Sequence, residues 1–289
     1  MTTRDIIFSR KSQAVMEGAG VLLNRAIGHQ DLPRFDPFLM LDDFRSTNPA
    51  DYRRGFPWHP HRGIETITYL IQGAVEHADS LGNKGVIESG DVQWMTAGSG
   101  IIHHEMPVVK ADGILFGFQL WANLPASHKM MPPRYQDIKS TSIPEVITAS
   151  QCKVRVICGT FENTQGPVTD IITNPTYLDI EIPAHTEFCL PTEAEHNLFC
   201  YVIGGSGYFC GTTQNETILK NHYAENKTVL LFNHGEQLAV HTHESTMRFI
   251  LCAGKPINEP IAWHGPIVMN TDAEIETAFD EYQNGNFIK

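Results

Sequence analysis

Apolar and polar residues alternate in short runs along this chain. Ile64, Thr66, Thr68 and Leu70 oppose Glu65, Ile67, Tyr69 and Ile71, which is the period of two that a pleated strand imposes. Val75–Asp79, Val92–Met95 and Gly113–Trp121 continue the rhythm, divided by Gly73, by residues 81–85 and by Gly90-Asp91. The second half repeats it in Tyr177–Ile182, Leu198–Ile203, Gly207–Cys210, Thr228–Phe232 and Met247–Cys252. Gly204-Gly205-Ser206-Gly207 and Asn233-His234-Gly235-Glu236 read as the turns between them. Many short strands with regular turn signals predict an all-β sandwich or barrel. The polar, proline-bearing stretch Pro132 to Pro144 is the best linker, so the pattern predicts two tandem barrels, residues 1–135 and 136–289. One helix is expected, near residue 271. Thr271 and Glu274 have capping-box spacing, and Ile275, Ala278, Phe279 and Tyr282 form one apolar face.

Candidate chemistry is concentrated in the first half. Residues 57–63 read Pro-Trp-His-Pro-His-Arg-Gly, and residues 98–106 read Gly-Ser-Gly-Ile-Ile-His-His-Glu-Met. His59 and His61 are two apart, as are His103 and Glu105, so each pair shares a strand face. Two adjacent strands can therefore aim three imidazoles and one carboxylate at a point, a mixed nitrogen and oxygen set for a first-row divalent metal with positions open to substrate and dioxygen. Fe(II), Mn, Co, Ni, Cu and Zn all suit it, and the lack of a cysteine ligand weakens a structural zinc reading. Glu65, of the same parity as His61, is a rival carboxylate, and His104 is a rival to His103 that strand alternation turns away. The advantage goes to His103 and Glu105. His241 and His243 form a second His-x-His pair, but no matching His/Glu pair accompanies them, so one metal is expected. Phe56 and Gln119 are the expected pocket-lining groups. Trp94, Met95 and Trp121 read as core packing; Asp42, Asp43 and Arg45 are candidates for catalysis, but pairing with neighbouring charges near the start of the first barrel is the preferred reading.

Composition narrows the partners. The formal net charge is −12, against the basic stripe that a nucleic-acid binder needs. With 42% hydrophobic and 19% charged residues, the chain has the profile of a globular protein. No apolar run reaches the length of a signal-peptide core or of a membrane span. The six cysteines (152, 158, 189, 200, 210, 252) form no Cys-x-x-Cys pair. They read as reduced, buried thiols of a cytoplasmic protein.

Four segments together resemble the pirin family of the cupin superfamily: Phe35–Phe44 (FDPFLMLDDF), Gly55–Gly63 (GFPWHPHRG), Asp91–Gly98 (DVQWMTAG) and Gly100–Pro107 (GIIHHEMP). His264–Thr271 (HGPIVMNT) extends the resemblance over nearly the whole chain. It departs from the general cupin pattern at Thr96, where cupins carry proline, and in the spacings that precede Gly73 and His103, and these departures favour the pirin version. The resemblance implies two antiparallel jelly-roll cupin barrels, with one metal in the N-terminal barrel held by His59, His61, His103 and Glu105. Iron is the usual ion. Two activities are implied. One is a quercetin 2,3-dioxygenase that opens the central ring of a flavonol with O2 and releases carbon monoxide, with Glu105 accepting the hydroxyl proton. The other is an iron-dependent regulatory protein, in which the metal's redox state alters a surface that meets a transcription factor or metabolic enzyme. A monomer acting on a small aromatic substrate, without direct nucleic-acid contact, is expected.

Overall fold

A computed structural model describes residues 1–289. Twelve strands occupy the first 138 residues: β1 (Ile6–Lys11), β2 (Gln13–Glu17), β3 (Val21–Ile27), β4 (Phe38–Asp43), β5 (Phe56–His61), β6 (Ile64–Gln72), β7 (Ala74–Asp79), β8 (Lys84–Glu88), β9 (Val92–Thr96), β10 (Ile101–Pro107), β11 (Phe116–Asn123) and β12 (Arg134–Ile138). All but β1 belong to one compact unit, residues 13–142 together with 257–289. Its seven-stranded antiparallel sheet runs β12-β9-β6-β11-β4-β3-β2, and a four-stranded sheet runs β5-β10-β7-β8. The period-two run that starts at Ile64 becomes β6, buried from Ile64 to Leu70 because strands flank it on both sides. Leu23, Phe44, Leu70, Val75 and Leu115 form one apolar cluster, and Met40, Ile64, Met95, Ile101, Trp121 and Val268 form another.

The second unit comprises residues 1–12 and 143–256. Its ten-stranded sheet is built on the long strand Asn197–Tyr208, which pairs with Met247–Gly254 on one side and Thr228–Phe232 on the other. Strand β1 pairs with the far edge of Thr228–Phe232. The turn expected at Gly204-Gly205-Ser206-Gly207 is instead a bulge inside one continuous strand. Gly205 has φ +67°, and a Cβ there would lie 1.8 Å from the Thr246 carbonyl oxygen. Gly205 therefore serves close strand approach and not chain reversal. Asn233–Glu236 does form a turn, between the strands Thr228–Phe232 and Gln237–His241.

The two compact units divide at 142/143, and their terminal segments are exchanged. Residues 1–12 complete the second unit, and residues 257–289 complete the first. Strand pairing explains this, since β1 finds its hydrogen-bonding edge in Thr228–Phe232. Part of the expected linker is ordered as β12 on the edge of the first sheet. The capping box forms as expected: Thr271 Oγ1 accepts from the Glu274 amide, and Glu274 accepts from the Thr271 amide, at the start of the helix Asp272–Gln283. A second helix, Glu216–His222, is capped by Asn215. Cys152, Cys158, Cys200 and Cys252 are buried, but Cys189 is exposed and Cys210 half-buried, and all six thiols are free. No helix is long and apolar enough to cross a membrane.

Candidate metal centre

Strands β5 and β10 pair antiparallel with His59 directly opposite His103 and His61 opposite Ile101. Because alternate residues share a face, His61 joins the other two rings. The donor nitrogens of His59, His61 and His103 all lie within 4.8 Å of one another. His59 Nε2 is 2.9 Å from His103 Nε2 and 3.1 Å from His61 Nε2.

The remaining ring nitrogens fix the chemistry of this cluster. His59 Nδ1 is 2.8 Å from the Pro57 carbonyl oxygen, and His61 Nδ1 is 2.9 Å from that of Pro266. A carbonyl oxygen only accepts, so each Nδ1 is assigned the hydrogen, and Nε2 of the uncharged ring is a bare lone pair. Burial, reinforced by neighbouring His59, pushes the His61 pKa down to about 3, and burial holds His103 well below the usual imidazole range. Lone pairs facing one another at about 3 Å repel unless a cation lies between them. The three side chains therefore fit a divalent transition metal, which their ring nitrogens would hold.

Glu105 stands outside this tight group. The register shifts between His103 and Glu105, which sets the carboxylate opposite Phe56. Its oxygens accept from Thr68 Oγ1 at 2.9 Å and Gln119 Nε2 at 2.8 Å, and the residue is buried. Gln119 in turn accepts from Trp121 Nε1 at 3.1 Å. Phe56, His59, His61, Thr68, Glu105 and Gln119 all line one cavity of about 630 Å³. His104 points away from it, stacked on the exposed Trp58 ring with centroids 4.6 Å apart. Glu65 lies in the core, accepting from Thr96 Oγ1 at 2.6 Å. Asp42 and Asp43 pair with Arg25 and Arg45 respectively. In the second unit, His241 Nδ1 meets the Cys210 carbonyl and its ring stacks under Tyr208, while His243 is exposed.

Strand parity does not reveal what the segment around His264–Thr271 does, which is to prop the histidine cluster. The hairpin Ala262–His264/Ile267–Met269 delivers the Pro266 carbonyl to His61, and Trp263 and Gly265 to the cavity wall. Arg62, next to His61, is buried and donates to the Ser99 and Phe287 carbonyls while pairing with Glu281 at 2.7 Å. Lys129 Nζ donates to the carbonyl oxygens of Gly63 and Val268 and to Asn123 Oδ1, at 2.7–3.0 Å. Burial pulls its pKa down to about 7, but three acceptors match the three hydrogens of an ammonium group. Only side-chain patterns are visible in a sequence, and most of these acceptors are backbone oxygens.

Glu65 yields a pH prediction. Burial, opposed by the Thr96 hydrogen bond, raises its pKa to about 7. A carboxyl that holds its proton more tightly when folded contributes stability fully below its unfolded value near 4.5, and loses it as pH rises through about 7. Glu65→Gln keeps the acceptor for Thr96 and is expected to gain about 2–3 kcal/mol over the natural chain at pH 8. At pH 5 the gain should shrink toward zero. Urea midpoints at both pH values check this, and an equal difference at the two would sink it.

The family model described as Pirin matches residues 20–122, and the model described as Pirin C-terminal cupin domain matches residues 177–288. A Pseudomonas aeruginosa protein, provisionally named a quercetin 2,3-dioxygenase, is 43% identical over 286 residues, 98% of this chain and 97% of that one. A pirin-like protein of Solanum lycopersicum is 42% identical over 277 residues, covering 95% and 89% respectively. The crystal structure of quercetin 2,3-dioxygenase from Acinetobacter baumannii superposes with TM-score 0.87 at 31% identity, covering 99% of this chain and 98% of that one.

Proposed function

The chain belongs to the pirin family of two-barrel cupins, and on that footing we propose that it is a metal-dependent dioxygenase of the quercetin 2,3-dioxygenase type. The observation that carries the reading is the cluster of three imidazole nitrogens, two of whose rings line one wide, mainly apolar cavity together with a buried carboxylate. A divalent transition metal held by His59, His61 and His103 supplies Lewis acidity and a template for the flavonol oxygens and O2. Iron is the proposed ion and Glu105 its fourth donor.

The protein's own groups do the rest. Met40, Phe44, Leu115 and Trp121 line the cavity and exclude water from a flat aromatic substrate. Glu105 accepts the 3-hydroxyl proton, held in place by the Thr68 and Gln119 hydrogen bonds. Both atoms of O2 enter the ester product and C3 leaves as carbon monoxide, so the reaction balances without a further reductant.

Anaerobic purification, metal quantification, reloading with Fe(II) and an oxygen-electrode assay with quercetin test this reading. Stoichiometric metal with oxygen uptake and carbon monoxide release is the expected result, and loaded protein without turnover would overturn it. Glu105→Gln, still loaded with metal, is expected to lose at least about 100-fold in kcat. Full activity in that variant would remove Glu105 from the proton transfer.

A metal-dependent interaction protein is the second reading, and Trp58 favours it. This ring is exposed, stacks on His104, and neighbours ligand His59 in sequence. A partner that binds only the metal-loaded protein, without any oxygen consumption, would select that reading.

A further inference from the structure

The floor of the cavity carries a polar stripe one residue wide. Strands β6, β11, β4 and β3 are consecutive in the seven-stranded sheet. Thr68 is the direct partner of Gln119, Gln119 of Asp42, and Asp42 of Arg25. Residues directly opposite on neighbouring strands share a face, and all four line the cavity. The neighbours two positions along that also line the cavity are apolar: Leu23 beside Arg25, Met40 and Phe44 beside Asp42, and Trp121 beside Gln119. The stripe starts at the metal end, where Thr68 and Gln119 both donate to Glu105.

The far end is an ion pair of two-pronged geometry. Arg25 Nε donates to Asp42 Oδ1 at 2.9 Å, Arg25 Nη2 to Oδ2 at 2.8 Å, and Arg25 Nη1 to Glu17 Oε1 at 2.8 Å. The Asp42 side chain is 5% exposed and that of Arg25 23%. A charge pair sunk in an apolar wall is a poor source of stability, because apolar side chains of similar volume often serve a fold as well or better. Three of the five guanidinium hydrogens are used, and each Asp42 oxygen keeps a lone pair after accepting from Arg25. The pair can therefore donate to and accept from a ligand at once. Asp42 stands two strand spacings, roughly 10 Å, and Arg25 three, roughly 14 Å, from the Thr68 position.

We propose that Thr68, Gln119, Asp42 and Arg25 form a binding track for a flat aromatic substrate oxygenated at both ends, with the Arg25–Asp42 pair as the distal site that selects ring hydroxyl groups. A phenol hydroxyl donates to Asp42 and accepts from Arg25. The apolar rows on either side contact the ring faces and edges. The track rests on the flavonol reading for what binds at the metal end, and adds which flavonols are preferred and why.

The test uses the whole metal-loaded chain under anaerobic conditions, with quercetin and 3-hydroxyflavone as probes. The two share the 3-hydroxyl and 4-carbonyl edge, and only quercetin carries hydroxyls on its two outer benzenoid rings. Quercetin is expected to bind the natural protein more tightly. In Arg25→Met the ratio of the two affinities is expected to fall about tenfold or more, the loss of a hydrogen bond to a charged group. Arg25→Met/Asp42→Leu removes both charges together and guards against an unpaired carboxylate unfolding the sheet; it should give the same fall. An unchanged ratio in the folded double variant would overturn the track and leave the pair as structure alone, as would failure of both flavonols to bind the natural protein. An Arg25-dependent ratio without oxygen uptake by the natural protein would uphold the track and discard the dioxygenase.

Discussion

Replacing His59 by alanine is expected to abolish metal retention and, with it, oxygen uptake. His59 is the middle member of the cluster, its Nε2 being the nitrogen that lies within about 3 Å of both others. Losing a partner that merely orients a ligand already costs 10–100-fold in affinity, so loss of this ligand should cost at least about 100-fold. Thermal melts separate the effect from misfolding. At a free metal concentration of about 100 Kd the natural chain should gain about 2.7 kcal/mol, or about 5–10 °C in Tm. The variant should show no such gain. Without metal it should melt no lower than the natural chain, because His59 is half-buried and its removal relieves opposed lone pairs. A variant stabilised by metal as strongly as the natural chain would refute the assignment.

Gly63→Ala is expected to be the most damaging single-methyl change near the centre. Gly63 has φ +77°, and a Cβ there would lie 2.0 Å from the Val268 carbonyl oxygen, itself fixed by Lys129. Backbone strain and overpacking together should cost about 3–5 kcal/mol, lowering Tm by about 10 °C or more. The displaced hairpin carries the Pro266 carbonyl that orients His61, so metal affinity should also fall about 10–100-fold. Gly82→Ala is the control. Its φ is also positive, +87°, but a Cβ there meets nothing within 4 Å. Equal losses in the two variants would show that strain alone, and not the clash with Val268, sets the effect.

How much of this was legible differs by kind of information. Parity within a strand needs only neighbours in sequence, so His59 with His61, and the turning away of His104, could be read before any fold was known. Register between strands is not written locally. Arg25, Asp42, Thr68 and Gln119 are separated by up to 94 residues in the chain, yet form one row because of which strands pair and where. From sequence, Asp42 therefore reads as a catalytic candidate or, preferably, as a charge paired with a neighbour, and not as a member of a row. Backbone carbonyls such as those of Pro57 and Pro266 leave no residue signature. Glycine is ambiguous for a different reason. Gly204 to Gly207 looks like a turn, but the same lack of Cβ serves a bulge packed against Thr246. The helix at Glu216 carried a weak signal in its Asn215 cap, and seven residues are too few to display a full apolar stripe.

The exchange of terminal segments has a consequence for biosynthesis. A nascent chain emerging from the ribosome presents His59, His61, His103 and Glu105 early, in a barrel still lacking residues 257–289. The carbonyl of Pro266 follows Glu105 by about 160 residues, roughly 10–30 s at ordinary rates of translation. During that interval His61 has no acceptor to set its tautomer, and Gly63 and Arg62 have no hairpin to grip. The other unit waits likewise, since β1, made first, pairs with Thr228–Phe232. The site is therefore completed only once residues 257–289 are made, and a message cut short before codon 257 yields a polypeptide with all four candidate ligands and no hairpin to orient His61.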